Sequence, residues 1–371
     1  MLRVKDVIGF LEVLAPPHLA EDWDEVGLQI GDPDRSLDSV LLALDPSLEA
    51  LHKAKSLEFQ LIVTHHPLFF KPLKRLHYHD PVTQFVKLAL EHDIAVFSAH
   101  TNLDATSGGV NDVLARLLGI EVQDVLAEEP SERMAKLVVF VPGDFQNLLR
   151  QAIFSAGGGR IGKYSGCSFN LPGAGTYTPM EGAAPFEGKV GVTSEADEVR
   201  IEVLVPRDRI REAVAKAREV HPYEEMAYDV IPLLNPTHSG GTGRWGKLSE
   251  PTTLEHLARR ISERLGLERI KCVGDRLKPI RTVALCGGSG ASLYPHALRK
   301  GADVFITGEF TYHQALEASA RGLALLDVGH FASERPVLNE LSVILDRRFR
   351  PLLPEFRAVV FQEEKDVFQY I

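Results

Sequence analysis

Three short stretches of the chain concentrate imidazoles and carboxylates. They are "IVTHHP" with His65 and His66, "SAHTNLD" with His100 and Asp104, and "GHFASE" with His330 and Glu334. Together they form a mixed nitrogen and oxygen donor set of the kind that suits zinc, iron or manganese. Singly each is a weak signal. A histidine pair is an ordinary loop feature, and a His four residues before an acid is an ordinary pair on a helix face. Ser333 also fits a helix N-cap ahead of Pro336, which would leave Glu334 merely complementing a helix dipole. Convergence favours the metal reading, because each stretch ends an apolar run in the same way. Several donors brought to one place suit two metals about 3.5–4 Å apart that share a carboxylate or water.

The apolar runs are the elements that must position these groups. "SVLLALDPS" (39–47), "FQLIVTH" (59–65) and "IAVFSAH" (94–100) each read as a strand buried on both faces of a parallel sheet. Helical patterns at 48–55 and 81–92 separate them, which makes a βαβ arrangement. The pattern returns as "TVALCGGSG" (282–290), "ADVFITGE" (302–309) and "LALLDVGH" (323–330), with helical segments at 291–299 and 311–320 between. "IVTHHP" answers "FITGEF", and "VFSAHTNLD" answers "LLDVGHFASE". Polar as well as apolar positions match, so the chain reads as two related three-layer α/β lobes forming one metal-binding unit. In such sheets ligands collect beyond the carboxyl ends of the strands, where all six candidate groups fall. Side chains alternate along a strand, so adjacent histidines inside one would point apart. At a strand end followed by Pro67 the backbone turns, and both His65 and His66 are expected to face one cavity.

Between the lobes the composition changes. Residues 157–193 are dense in Gly and Pro, and they are flanked by "MAKLVVFVP" and by "VRIEVLVP" with its following helix. The strand and helix order predicts an inserted ferredoxin-like α+β domain. The expected boundaries are 1–129 for the first lobe, 130–237 for the insert and 238–371 for the second lobe, with a turn-rich linker at 233–243. "HPYEE" (221–225) reads as a helix end rather than a second metal site.

The 371 residues carry 25% charged and 44% hydrophobic side chains, ordinary for a globular protein of two or three domains. A formal charge of −10 disfavours a nucleic-acid partner, whose phosphates call for clustered Lys and Arg. Three widely spaced cysteines offer no zinc signature and fit a reducing compartment. No apolar run approaches the ~20 residues needed to cross a bilayer. The expectation is a cytoplasmic protein with no membrane partner. His77, His79 and His92 have no matched partner and read as surface residues.

The ordered set "THHP", "HTNLD" and "GHFASE", with "EDWDEVGLQIGD", "GGSG" and "ADVFITGEFTYH", resembles the Ngg1-interacting-factor-three-like family, often labelled GTP cyclohydrolase 1 type 2-like. The resemblance spans the whole chain. It implies toroidal homohexamers with a dinuclear centre of two divalent ions per chain, zinc or iron first and manganese next. It places the ligands on His65, His66, Asp104, His330 and Glu334, with His100 beside them as the candidate catalytic proton shuttle. It likens the insert to PII and CutA modules. The chain departs from the family's "WDN" at Glu25 and from its "TGD" at Glu309, positions that bear on what binds beside the metals.

A cation pair of this kind lowers the pKa of water it holds to roughly 7 and polarises phosphoryl, carbonyl or ring C=N centres. The first expectation is therefore a metal-dependent hydrolase, and the resemblance to the family implies a small, nucleotide-like substrate. The alternative is a ring-shaped scaffold or sensor with structural metals. No G-x-x-x-x-G-K-[ST] loop is present, and "CGGSG" reads as a tight turn in preference to a phosphate cradle. Glu309 and His313, four residues apart, are expected either to line the pocket or to start a helix.

Overall fold

A computed structural model describes residues 2–128, 134–162, 164–233 and 240–369. Part of the expected linker, residues 234–239, and both boundaries expected for the insert lie outside the described residues. The chain forms two compact units, one from residues 1–129 and 238–371, the other from 130–237.

The first unit opens with α1 (Val4–Leu14), whose Val4, Val7, Ile8 and Leu11 are buried on one face. Strands β1 (Gly27–Ile30) and β2 (Ser39–Ala43) follow, then α2 (Leu48–Ser56), β3 (Leu61–Thr64), α3 (Pro81–Glu91) and β4 (Ala95–Ser98). Two local signals start the connecting helices. Ser47 accepts from the Ala50 amide at the head of α2, and Asp80 with Pro81 does the same work for α3. Short α4 (Thr101–Ala105) leaves the end of β4, and α5 (Val110–Leu118) stops at Gly119, whose φ of +72° a glycine adopts without strain. β5 (Ile120–Glu128) then leads toward the insert.

The insert contains β6 (Met134–Pro142), α6 (Gln146–Ser155), β7 (Phe169–Tyr177), β8 (Ser194–Pro206), α7 (Ile210–Val220) and β9 (Tyr228–Pro232). Its antiparallel sheet has the order β7-β8-β6-β9, the ferredoxin-like arrangement. Leu149 and Ile153 of α6 and Ala213 and Ala217 of α7 pack on Leu137, Val139, Ile201 and Val203.

The chain re-enters the first unit with β10 (Gly241–Thr253), α8 (Leu254–Leu265), β11 (Lys271–Val273) and β12 (Pro279–Cys286). It continues through α9 (Tyr294–Arg299), β13 (Val304–Thr307), α10 (Tyr312–Ala320), β14 (Ala324–Asp327), α11 (His330–Glu334), α12 (Pro336–Phe349) and β15 (Arg357–Val360). Two sheets result, β1-β4-β3-β2-β15 and β11-β14-β13-β12-β10-β5. In each, three consecutive strands run parallel and an antiparallel edge strand follows the third, so β2, β3 and β4 correspond to β12, β13 and β14. All four residues of β3, β4, β13 and β14 are buried, which is why their sequences show no alternation. Helices cover both faces of each sheet, as separate clusters of buried side chains record.

The halves also exchange strands. β15, from the end of the chain, pairs with β2 in the first sheet, and β5, from before the insert, pairs with β10 in the second. Arg244 on β10 is nearly fully buried and forks onto Asp112 of α5 at 2.7 and 2.8 Å, while also donating to the carbonyls of Thr106, Gly241 and Gly243. A buried guanidinium satisfied by five acceptor contacts holds the α4–α5 corner against the second sheet. Among the described residues no helix is long and apolar enough to cross a membrane.

Candidate metal centre

The carboxyl ends of β3, β4 and β14 deliver the polar groups to one place. The amides of His65 and His66 continue the ladder with β2 by donating to the carbonyls of Ala43 and Leu44. Thr64 ties the turn by donating to the His66 carbonyl at 2.7 Å. Both imidazoles turn toward the second sheet. His65 Nε2 lies 3.7 Å from Asp104 and 3.8 Å from Glu334, and His66 Nε2 lies 3.1 Å from Glu334. His330 Nε2 is 3.0 Å from the same Glu334 oxygen and 3.2 Å from His66 Nε2.

Three sets of donor atoms are each close enough to hold one cation. They are His65, Asp104 and Glu334; His66, His330 and Glu334; and His65, His66 and His100. The first two share Glu334 and use its two oxygens separately. His65 Nε2 and Glu334 Oε2 are buried, and although ring nitrogens and carboxylate oxygens lie 3.0 to 3.8 Å from them, none meets either atom in hydrogen-bond geometry, in a protein interior where such groups are nearly always satisfied. A cation among these donors supplies what both atoms lack, so the residues present fit a metal.

Backbone and side-chain partners aim the imidazoles. His65 Nδ1 is 2.9 Å from the Ala99 carbonyl, which makes Nδ1 the protonated nitrogen and leaves the Nε2 lone pair facing inward. His66 Nδ1 sits 2.8 Å from Asp45 Oδ1, at the end of β2. His100 Nδ1 sits 3.0 Å from Asp24 Oδ1, whose other oxygen accepts from the amide and hydroxyl of Thr101. Trp23 and Phe70, both more than half exposed, set their rings 5.9 and 5.8 Å from that of His100.

Electrostatics follow from this crowding. Burial opposes the charge of Glu334, yet the imidazoles of His65, His330 and His66 hold its carboxyl well below the usual range. Asp104 is pushed up, by burial first and by its carboxylate neighbour Glu334, with the imidazoles offsetting only part. Burial works against the charged form of His66, but Asp45 and Glu334 outweigh it and raise the imidazole to about 10. His330 is raised mainly by its contact with Glu334. His65 is raised because Asp104 and Glu334 outweigh its burial. Asp24 is lowered, since the hydrogen bonds from His100 and Thr101 exceed the effect of burial.

Glycines let the second sheet deliver its ligands. Gly288 has φ of +57°, and a Cβ there would lie 2.0 Å from Glu334 Oε1 and 3.3 Å from His330 Nε2. A Cβ on Gly308 would lie 2.6 Å from the Gly288 carbonyl and 2.8 Å from the His330 Cα. "CGGSG" is thus a tight turn, as expected, and it also forms a wall of the centre. Ser333 is no N-cap: it is buried inside α11, donates to the His330 carbonyl and accepts from the Gly288 amide.

All six sequence-derived residues therefore meet at one locus. Glu309 stands nearby, 3.8 Å from His330 Nδ1 and bonded to Ser289, whereas His313 is exposed on the first turn of α10, with its ring 5.8 Å from that of Tyr312. Glu25 is exposed, while its neighbour Asp24 belongs to the site. His221 of the insert bonds the Phe140 carbonyl and closes the end of α7, in keeping with a structural role. Sequence reasoning missed Asp24, Asp45 and the spatial task of Gly288. The only sequence signals for the two aspartates were their places, in "EDWDEVG" and at the end of the "LLALDPS" strand.

Beside His66 and His330 opens a cavity of about 520 Å³, lined also by Asp45, Glu309, Phe331 and the C-terminal segment 361–368.

Comparison with known proteins identifies the family. The chain is 41% identical over 324 residues to a "GTP cyclohydrolase 1 type 2 homolog" of Halalkalibacterium halodurans, covering 87% of each chain. It is 37% identical over 330 residues to a protein of the same description in Bacillus subtilis, covering 89% of this chain and 88% of that one. A Bacillus cereus protein described as related to NIF3 has a similar solved structure, with a TM-score of 0.73, 36% identity and coverage of 100% of this chain and 99% of that one. The model of the Duf34/NIF3 (NGG1p interacting factor 3) family matches residues 2–366, and the chain belongs to that family.

Proposed function

We propose that the protein is a cytoplasmic, metal-dependent hydrolase with two cation positions joined by Glu334. His65, Asp104 and Glu334 would hold one cation, and His66, His330 and Glu334 the other. The observation that carries this is the pair of donor groups that meet at the buried Glu334, each compact enough to surround one cation. Zinc and iron suit the donor mixture best, with manganese next.

Bound there, divalent cations supply Lewis-acid polarisation of a phosphoryl, carbonyl or C=N centre and acidify water. The chain's own residues do the rest. Ala99 and Asp45 fix the tautomer and aim of His65 and His66. Coordinated Asp104 and Glu334 are poor proton carriers, which leaves His100 to move protons at Nε2 while Asp24 fixes its Nδ1–H. Trp23 and Phe70 restrict water around that imidazole. A small nucleotide-like substrate is our reading from the names of the relatives in H. halodurans and B. subtilis.

The test is elemental analysis of protein purified without added metal, followed by assay against nucleotides and phosphoesters. Two equivalents of metal and turnover abolished by His66→Ala support the reading. Absence of bound metal after reconstitution overturns it.

A second reading, a homohexameric ring with structural metals and no turnover, draws on the exposed Phe70, Leu73, Leu76 and Tyr78 in the loop after β3. Loss of assembly in His66→Ala, without turnover by the parent protein, would favour it.

A further inference from the structure

We propose that Glu364, near the C-terminus, is a positioning residue for the metal centre, acting through the Leu44–Asp45 turn on His66. The inference rests on the two-position reading of the site. After β15 the chain crosses the end of β2, where the Phe361 amide still donates to the Leu42 carbonyl. One turn later Glu364 accepts from the Leu44 amide at 3.0 and 2.9 Å and from the Asp45 amide at 2.9 Å. Leu44, Asp45 and Glu364 all line the cavity beside His66. The Asp45 side chain holds His66 Nδ1, and His66 Nε2 reaches Glu334. A continuous series of contacts therefore runs from residue 364 to the carboxylate shared by both cation positions.

The same segment has anchors that avoid Asp45. Lys53 pairs with Glu363, and Arg335 donates to Gln362 at 3.1 Å. The segment thus does not need Glu364 merely to stay attached. What Glu364 adds is a carboxylate placed on the two amides that set the Asp45 backbone. Its effect should fall on the His66 side of the centre, because His65 takes its orientation from Ala99 instead.

The experiment uses the full chain and Zn²⁺ alone, titrated against a competing chelator. Asp104→Ala and His330→Ala assign the two binding steps. Glu364→Ala should weaken the step that needs His330 about 10-fold, the lower end of what orienting partners contribute, and leave the other within twofold. Glu364→Gln, which keeps one acceptor, should recover part of the loss. Lys53→Ala should change neither step. Equal weakening of both steps by Glu364→Ala, or matching effects of Lys53→Ala, would overturn the proposal, as would no effect at all. A metal-free readout separates this from the reading of the centre: the His66 ring N–H held by Asp45 should exchange slowly in the parent protein and broaden in Glu364→Ala. If the parent takes up no zinc, the centre fails while this resonance still decides for or against Glu364.

Discussion

The two sheets solve one problem differently. The first delivers His65 and His66 straight from a strand end, and each ring is braced through Nδ1, by a carbonyl or by a carboxylate. The second delivers His330 and Glu334 from a single helical turn four residues apart, braced by the closeness of glycine backbone. The His65 side chain is wholly buried, whereas that of His330 remains 31% exposed. A repeated scaffold therefore places the donors, but what fixes their aim differs: hydrogen bonds to the rings themselves in one sheet, a helical turn held by Ser333 against glycine backbone in the other.

The largest effect should come from the residue both sheets depend on. Glu334→Gln removes the shared charge, so bound metal should fall to background and hydrolysis with it, as elemental analysis and assay will show. If one equivalent survives, the two sets do not share a ligand.

Gly288→Ala tests the glycine brace. The new Cβ meets Glu334 and His330 and takes a left-handed backbone at a cost of about 1–2 kcal/mol. Zinc affinity should drop by more than tenfold while thermal unfolding shifts by only a few degrees. An unchanged affinity would mean that α11 has room to retreat.

In the proposed reaction the first sheet also supplies the proton shuttle. His100→Gln should keep both equivalents of metal yet lower kcat by about 10²–10⁴-fold, the usual range for a lost general acid or base. Asp24→Asn should fall between the two, since it leaves the imidazole but frees its tautomer. Metal loss in either variant would move His100 among the ligands, as the group His65, His66 and His100 would allow.

The last effect is one of pH. In the metal-free protein His66 is raised to about 10, so its charged form favours the fold. That contribution is complete below the unfolded value near 6.5 and is lost as pH rises through about 10. Chelated protein should therefore melt at steadily lower temperature between those limits, and His66→Gln should flatten the profile. Zinc uptake at pH 7 should release protons, measurable by calorimetry in buffers of different ionisation heat.

Much of the scaffold is readable in the sequence because strands buried on both faces are written as unbroken apolar runs. β3, β4, β13 and β14 lie inside the expected segments, trimmed at their ends where the ladder stops and the turns begin. The polar residues just beyond those runs are equally visible, since nothing in a core strand calls for them. The orienting partners are not visible. Asp24 is 76 residues from His100, Asp45 is 21 from His66, and Glu364 is 320 from Leu44, so no local pattern joins them. β5 and β15 escape for the same reason: a strand's sequence states that it will be paired, not which sheet will take it.

That exchange of strands has a temporal consequence. Translation brings out the twin histidines well before Glu334, and β2 must wait for β15, which is made after the strands of the second sheet. A half-made chain on the ribosome thus carries an open sheet edge and an unfinished cation trap, while the intervening insert can collapse by itself. Completion of the candidate centre is in this way tied to synthesis of the second sheet and of β15.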